Sequence, residues 1–111
     1  MTPARHSPTD AAALMARYCD GDAQAFHALY AQLAPRLLTW LQARVPDRAA
    51  AESLLSQTFV ELHRTRPNYV RGAAPEPWLQ EIAAWVCRQA ARRARARARA
   101  SWLQHPWHLS P

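Results

Sequence analysis

The side chains with the clearest chemical potential in this sequence are the arginines at its C-terminal end. Residues 88–111 contain six arginines and no acidic residue, whereas residues 1–87 contain eight arginines and eight acids. The formal net charge of +6 is therefore carried entirely by this end of the chain. A neutral body with a basic end predicts a polyanionic partner for that end.

The spacing of these arginines predicts how a helix would display them. One row recurs at steps of three and four residues and would share a helix face: Arg88, Arg92, Arg95 and Arg99. Arg93 and Arg97 are expected to add a neighbouring row. Such a stripe can follow a phosphate backbone, bind an acidic protein or simply be solvated. A membrane anchor is not expected, because the charge surrounds the helix and leaves no apolar side.

No group of residues predicts catalysis or a metal site. His105 and His108 have HxxH spacing, but two further zinc ligands would be needed and neither cysteine is close in sequence. Asp20 and Asp22 flank a turn and are typical of helix caps, and no glycine-rich phosphate loop occurs. We therefore expect no enzyme activity, no catalytic residues, no bound metal and no cofactor.

The composition predicts an all-α fold. Alanine and arginine are strong helix formers, and only two glycines occur in 111 residues, a length that suits one domain. We expect a single small bundle of about four helices with a basic C-terminal helix end. The predicted organisation is a disordered N-terminus (1–8), a helical domain (9–100) and an apolar, aromatic tail (101–111).

Periodic apolar residues and capping signals divide the helical domain. Thr9 or Asp10 is expected to cap a helix that ends at Cys19, and Pro35 to kink or split the next helix. A loop rich in proline is expected at 66–77. The predicted longer helices cover residues 23–44 and 48–65, followed by a fourth helix that Pro75 and Pro77 precede or begin and that continues to about residue 99.

The sequence also predicts a cellular compartment. Cys19 and Cys87 have no CxxC spacing and are typical of buried thiols in a reducing environment. The N-terminus has no apolar signal core, and no stretch approaches the 18 apolar residues of a membrane span. We expect a cytoplasmic protein.

A set of short motifs in a fixed order gives the chain a family likeness. These motifs are Asp20-Gly21-Asp22-Ala23 with Phe26 and Tyr30, Ala51-Glu52, Leu54-Leu55, Gln57-Thr58-Phe59, Trp78-Leu79, Ile82-Ala83 and Arg92-Arg93. In this order and spacing, over roughly residues 10–97, the chain resembles region two of bacterial sigma factors of the extracytoplasmic-function group.

The resemblance implies that the third predicted helix binds core RNA polymerase. The residues that match the polymerase-binding motif are Glu52, Leu54, Leu55, Gln57 and Phe59. Leu55 and Phe59 also fit the apolar stripe of that helix, so core packing is the alternative interpretation for both.

The resemblance further implies that the 66–77 loop and the last helix hold the non-template strand of promoter DNA at the minus-ten element. The candidates are Asn68, Tyr69, Arg71, Trp78, Arg88, Arg92 and Arg93. Arginines on phosphates and aromatic rings on bases are the usual means of holding a single strand. Tyr69 either captures a base or attaches the loop to the bundle.

Four positions depart from the residues that the family usually has. The family has aspartate, glutamine, asparagine and aspartate where this chain has, in order, Ser53, Ser56, Trp85 and Gln89. The 111 residues contain no helix-turn-helix domain of the kind that reads the minus-thirty-five element, so we expect either a piece of a longer protein or a one-domain, sigma-like regulator. The four departures motivate an alternative function, a degenerate sigma-like module that binds an anti-sigma factor or another regulator without directing transcription. A general helical nucleic-acid binder is a third hypothesis.

Overall fold

Three aspartates begin the first three helices of the structure, a computed structural model that describes residues 10–104. Asp10, Asp22 and Asp47 each accept a hydrogen bond from the backbone N–H two residues further on, at 3.0–3.2 Å. A carboxylate at this position satisfies a backbone donor that the helix itself leaves unpaired. The cap of the first helix is therefore Asp10, one of the two residues that the sequence offered.

Four α-helices and one short 3-10 turn make up the described part of the chain, and no strand occurs there, which confirms the predicted fold class. The helices are α1 (Ala11–Cys19), α2 (Ala23–Gln42), α3 (Arg48–Arg64) and α4 (Pro75–Gln104). The 3-10 turn (Arg66–Asn68) lies within the segment that the sequence predicted as a loop.

The bundle is closed around α3. This helix packs against both α2 and α4, while α1 packs mainly against α2 and also touches α4. Met15, Leu29, Leu41 and Leu62 are almost completely buried between these helices. Thr58 is buried too, and its hydroxyl donates to the Leu54 carbonyl at 2.7 Å, so burial leaves no polar atom of this side chain unpaired.

Pro35 lies inside α2 without dividing it. The helix runs continuously from Ala23 to Gln42, so it is not split in two. Proline cannot donate to the carbonyl of Ala31, but both residues are exposed, and water can satisfy that carbonyl. The Thr39 hydroxyl donates to the Pro35 carbonyl at 3.1 Å.

Helix α4 is longer than the sequence pattern predicts. Proline is favoured in a first helical turn, and α4 begins at Pro75. Its last buried residue is Val86, and Ala90 is the last to pack against the core. All side chains from 91 to 104 are exposed, and residues 101–104, predicted as the start of a tail, continue the helix.

The predicted disordered N-terminus, Thr9, and the tail residues 105–111 with their HxxH pair lie outside the described residues. Between residues 10 and 104 no helix combines the length and the apolar character that a membrane crossing requires. Cys19 and Cys87 are partly buried and are not joined in a disulfide. Burial raises the pKa of the Cys87 thiol, which keeps it protonated.

Truncating the core side of α3 should destabilise the bundle far more than truncating its outer side. Leu62→Ala removes a side chain that is 1% exposed, and we expect the free energy of unfolding to fall by about 2–5 kcal/mol. Val60→Ala, at a side chain 64% exposed on the same helix, should change it by less than about 0.5 kcal/mol. Urea denaturation followed by circular dichroism measures both, and equal losses would contradict the packing described.

Candidate partner and nucleic-acid interfaces

The outward side of α3 is polar and held by contacts within the helix. Glu52, Ser53 and Ser56 are exposed, and Gln57 is partly exposed. Arg48 Nε donates to the Glu52 carboxylate at 3.0 Å, and Gln57 Nε2 donates to Ser53 Oγ at 3.2 Å. This side of α3 therefore presents carboxylate, hydroxyl and amide groups to whatever lies against it.

Three of the five polymerase-binding candidates lie beneath this surface. Leu54 and Leu55 are each 7% exposed, and Phe59 is 5% exposed. Their side chains belong to the core that fixes α3 on α2 and α4. For Leu55 and Phe59 this is the packing role that the sequence left open, and of the five candidates only Glu52 and Gln57 face outward.

Beside that surface lies an apolar groove of about 520 Å³ between α2 and α3. The Phe59 and Tyr30 rings form part of its wall, with their centroids 4.6 Å apart, and Val60 lies at its edge. The other lining residues are Tyr18, Ala23, Phe26, His27, Ser56 and His63. Sequence reasoning missed this groove; the available signal was Val60, an apolar residue off the apolar stripe of its helix.

One end of the groove is closed by a link between α1 and α3. The Tyr18 hydroxyl and His63 Nδ1 form a short hydrogen bond, and the Arg66 guanidinium lies 4.9 Å from the centroid of the Tyr18 ring. Burial raises the pKa of the Tyr18 hydroxyl, and the nearby Arg66 opposes this rise. The phenol therefore stays neutral at physiological pH, and the link holds the aromatic wall in place.

A second groove, of about 350 Å³, lies between the end of α3, the 3-10 turn and α4. Asn68, Trp78 and Trp85 line it, so the structure brings together two of the predicted DNA-binding residues. Trp85 is 41% exposed and was singled out in the sequence only as a departure from the family pattern. The remaining lining residues are Glu61, Arg64, Thr65, Glu81 and Ile82.

Tyr69 packs against Trp78, one of the residues that line this second groove. Its ring is 8% exposed and lies 5.5 Å from the Trp78 ring, measured between centroids. Its hydroxyl donates to the Ala73 carbonyl through a short hydrogen bond, and burial raises its pKa. This geometry matches the interpretation in which Tyr69 attaches the loop to the bundle.

Arg71 lies apart from Asn68 and Trp78, in a contact between the loop and α1. Its guanidinium donates to the Asp20 carboxylate at 2.5 Å and to the Ala16 carbonyl at 3.4 Å. The hydrogen bond from Arg71 holds the pKa of Asp20 below its ordinary value. The ion pair requires the ionised Asp20 carboxylate, which is the form that a lowered pKa favours. The contact is therefore present at neutral pH and is lost as the pH falls through the pKa of Asp20.

The remaining predicted DNA-binding arginines, Arg88, Arg92 and Arg93, are exposed on α4. Arg93 lines a third groove, also about 350 Å³, together with Gln57 and Trp85. Because Trp85 borders both the second and the third groove, the two meet along the side of α4. We call this surface, from Asn68 through Trp85 to Arg93, the tryptophan groove.

Acidic residues near the tryptophan groove are partly neutralised. Glu61 borders both of its halves, and the Arg64 guanidinium donates to both Glu61 carboxylate oxygens, at 2.9 and 3.0 Å. The hydrogen bond from Arg64 lowers the pKa of Glu61 and so keeps the pair ionised.

Among the residues that the structure describes, no three acidic, histidine or cysteine side chains are grouped so that they could hold a metal ion.

Comparison with known proteins shows what this arrangement of helices is related to. The family profile described as Sigma-70 region 2 matches residues 29–98, more than half of the chain. The chain belongs to the sigma-70 region 2 family. It is also 42% identical over 81 residues to the RNA polymerase sigma factor CarQ of Myxococcus xanthus, an alignment that covers 73% of this chain and 47% of that protein. The chain thus spans about half the length of this curated relative, and no solved structure matches it.

The four positions that the sequence comparison with the family pattern singled out all lie on surfaces of the bundle. Ser53 and Ser56 are exposed on α3, Trp85 lies in the tryptophan groove, and Gln89 is partly exposed on α4. The bundle itself therefore does not depend on these substitutions. Their effect is confined to what the two outer faces contact.

Removing Arg71 should release Asp20 and change its titration. In Arg71→Ala we expect the pKa of the Asp20 carboxyl to rise toward its ordinary value, because the hydrogen bond that lowers it is gone. Carboxyl-detected NMR titration measures this directly. Glu61, whose pKa is lowered by Arg64, serves as an internal control and should not move. An unchanged Asp20 midpoint would contradict the loop contact.

Proposed function

We propose that this region-two domain takes part in transcription initiation by binding core RNA polymerase through α3 and unpaired promoter DNA through the tryptophan groove. The observation that carries the proposal is a pair of adjoining outer surfaces on one member of the sigma-70 region 2 family, which meet along α3 at Ser56, Gln57 and Val60. One surface is polar with an adjoining apolar groove, and the other combines tryptophans with arginines. Neither surface needs covalent chemistry to act.

The polymerase-binding surface that we propose combines the outward side of α3 with the apolar groove. Glu52 and Gln57 offer polar groups, and Val60 at the groove edge offers exposed apolar area. An apolar centre surrounded by polar groups is typical of protein–protein interfaces. Leu54 and Leu55 would act from beneath by fixing the position of α3, and Phe59 would act as part of the groove wall.

The DNA-binding surface that we propose starts at Asn68 and follows α4. Trp78 and Trp85 would stack on bases, an interaction worth about 1–3 kcal/mol per base. Arg88, Arg92 and Arg93 lie one to two turns beyond Trp85 and would neutralise phosphates of the same non-template strand. Tyr69 would position Trp78, and Arg71 would hold the loop on α1 or exchange Asp20 for a phosphate.

A second candidate function is a regulator-binding module that contacts an anti-sigma factor but does not direct transcription. The observation that favours it is the hydrogen bond between Gln57 and Ser53, which occupies one amide donor of Gln57 within the helix. Ser53 and Ser56 also offer shorter polar groups than the aspartate and glutamine usual in the family. A weaker hold on polymerase would follow if those side chains made buried hydrogen bonds.

Co-elution with purified bacterial core RNA polymerase in size-exclusion chromatography separates the two functions. We expect the wild-type chain to co-elute at micromolar concentration and Val60→Glu to lose co-elution, because it places a charge at the edge of the apolar groove. Val70→Glu is the matched control, since Val70 is 72% exposed on the loop and does not line that groove. Failure of the wild-type chain to co-elute would exclude the polymerase role and leave the regulator-binding module.

Stacking in the tryptophan groove predicts a loss of affinity for single-stranded DNA in Trp85→Ala. We expect the dissociation constant for a labelled 15-nucleotide strand to rise about 5- to 150-fold, the range that follows from losing one stacked base. Tyr30→Ala removes an aromatic ring of similar exposure, 37%, from the apolar groove and should leave the affinity unchanged. Fluorescence anisotropy measures both, and an equal effect of the two substitutions would count against DNA binding at Trp85.

A further inference from the structure

The last fourteen described residues of α4 form a basic arm that the bundle does not cover. We use "basic arm" for residues 91–104, all of which are exposed. At about 1.5 Å per residue the arm is about 21 Å long. It contains five of the six C-terminal arginines and no acidic residue. The arm overlaps the proposed DNA-binding surface at Arg92 and Arg93 and extends beyond the tryptophan groove along the same helix.

The arginines of the basic arm point in two opposed directions. A helix turns by about 100° per residue, so Arg92, Arg95 and Arg99 lie within a narrow sector on one side. Arg93 and Arg97 lie about 100–160° away from these three arginines, so they do not form the neighbouring row expected from the sequence. Most of the residues between them are alanines, whose small side chains let another surface come close to the helix.

This arrangement fits a partner that presents negative charge on both sides of a helix. The major groove of duplex DNA is about 12 Å wide, admits an α-helix and has a phosphate backbone along each edge. Beyond Arg93, a single strand or one acidic helix would engage only one side of the arm, either Arg95 with Arg99 or Arg97. Duplex RNA has a major groove too deep and narrow for a helix to enter.

Repulsion between like charges along the arm destabilises the helix that the arm forms. The pairs Arg93/Arg97 and Arg95/Arg99 are four residues apart, and same-sign pairs at this spacing destabilise a helix. A helix of this length is marginal in water without tertiary packing. Phosphates on both sides would remove the repulsion, so binding should also stabilise the helical state of the arm.

We infer that the basic arm is a second DNA-binding element, which lies in the major groove of duplex DNA and binds it without regard to sequence. The inference deepens the proposed function, on which it rests for DNA as the biological partner. It adds a contact with duplex to the capture of an unpaired strand, and it requires neither polymerase nor a promoter sequence.

The test compares two double variants of the full chain that lose the same charge. Arg97→Ala/Arg99→Ala removes one arginine from each side of the arm, and Arg36→Ala/Arg44→Ala removes two exposed arginines from the body that lie outside both proposed binding surfaces. Alanine is the strongest helix former, so the arm variant keeps its helical propensity. Binding to a labelled 20-base-pair duplex of non-promoter sequence is measured by anisotropy over a range of salt concentrations.

We expect the log–log salt slope of the arm variant to be shallower than that of the wild-type chain by about 2, since each lost phosphate contact accounts for about 0.9. Its affinity at about 0.1 M salt should fall at least about tenfold, while the control variant keeps the wild-type slope. Hydrogen exchange of peptides from residues 91–104 should slow when duplex is added to the wild-type chain.

Three outcomes would overturn the inference. The first is an equal change of slope in both variants, which would mean that only net charge matters. The second is a loss by the arm variant that is as large for a 20-nucleotide single strand as for the duplex. The third is tighter wild-type binding to poly-glutamate than to duplex at equal charge, which would assign the arm to an acidic protein.

The same two variants in the polymerase co-elution assay separate this inference from the proposed function. An arm variant that still co-elutes with polymerase but has lost the duplex supports the arm as an independent contact. If neither the wild-type chain nor any variant co-elutes, the result counts against the proposed function. The duplex-binding measurement then decides by itself whether the arm binds duplex DNA.

Discussion

Most of the structure depends on the burial of one side of α3. This helix packs against both α2 and α4, and Leu54, Leu55, Phe59 and Leu62 are the side chains that fix it there. Burying such side chains removes apolar area from water, at about 25 cal/mol for each Å², which is the main favourable term in folding. Because the buried side is fully used, only the outer side of α3 and the grooves at its edges are open to partners.

The position of α3 sets the geometry of both candidate surfaces. Its contact with α2 creates the apolar groove in which Tyr30 and Phe59 meet, and its contact with α4 brings Trp85 next to Glu61 and Gln57. A small tilt of α3 would change the two surfaces together. The Tyr18 to His63 hydrogen bond and the Tyr69 to Ala73 hydrogen bond fix the elements around it.

Charge is separated from packing in this protein to an unusual degree. The packed part of the chain has balanced charges, and several of its acids are held in local pairs such as Glu61 with Arg64 and Asp20 with Arg71. Five of the six arginines that carry the excess positive charge lie on α4 beyond Ala90, the last residue that packs on the core. An arginine there costs the bundle little desolvation, since the side chains remain in water.

Several features of the site could be predicted from the sequence, since they depend on local chemistry. Asp10 and Asp22 could be predicted as caps because a carboxylate satisfies nearby backbone donors whatever the tertiary fold. The apolar stripe of α3, from Ala51 to Leu62, follows from helical spacing alone. The family likeness read from ordered motifs is confirmed by the match to the sigma-70 region 2 family.

The roles of individual residues could not be predicted in the same way. Spacing places Leu55, Phe59 and Tyr69 on a helix or in a loop, but it does not show whether a second helix covers them. The structure buries all three, and it leaves Val60 and Trp85 exposed beside grooves. Neither residue was a candidate in the sequence. Val60 lies off the apolar stripe of its helix, and Trp85 stands where the family usually has asparagine.

The sequence by itself therefore determined the helices, their caps and the uneven distribution of charge, because each of these arises from neighbours in the chain. Only the tertiary structure decided which apolar residues form the core and which line a groove, and that Arg71 pairs with Asp20. It also decided where α4 leaves the bundle, after Ala90. These features depend on residues distant in sequence that meet only when the helices pack.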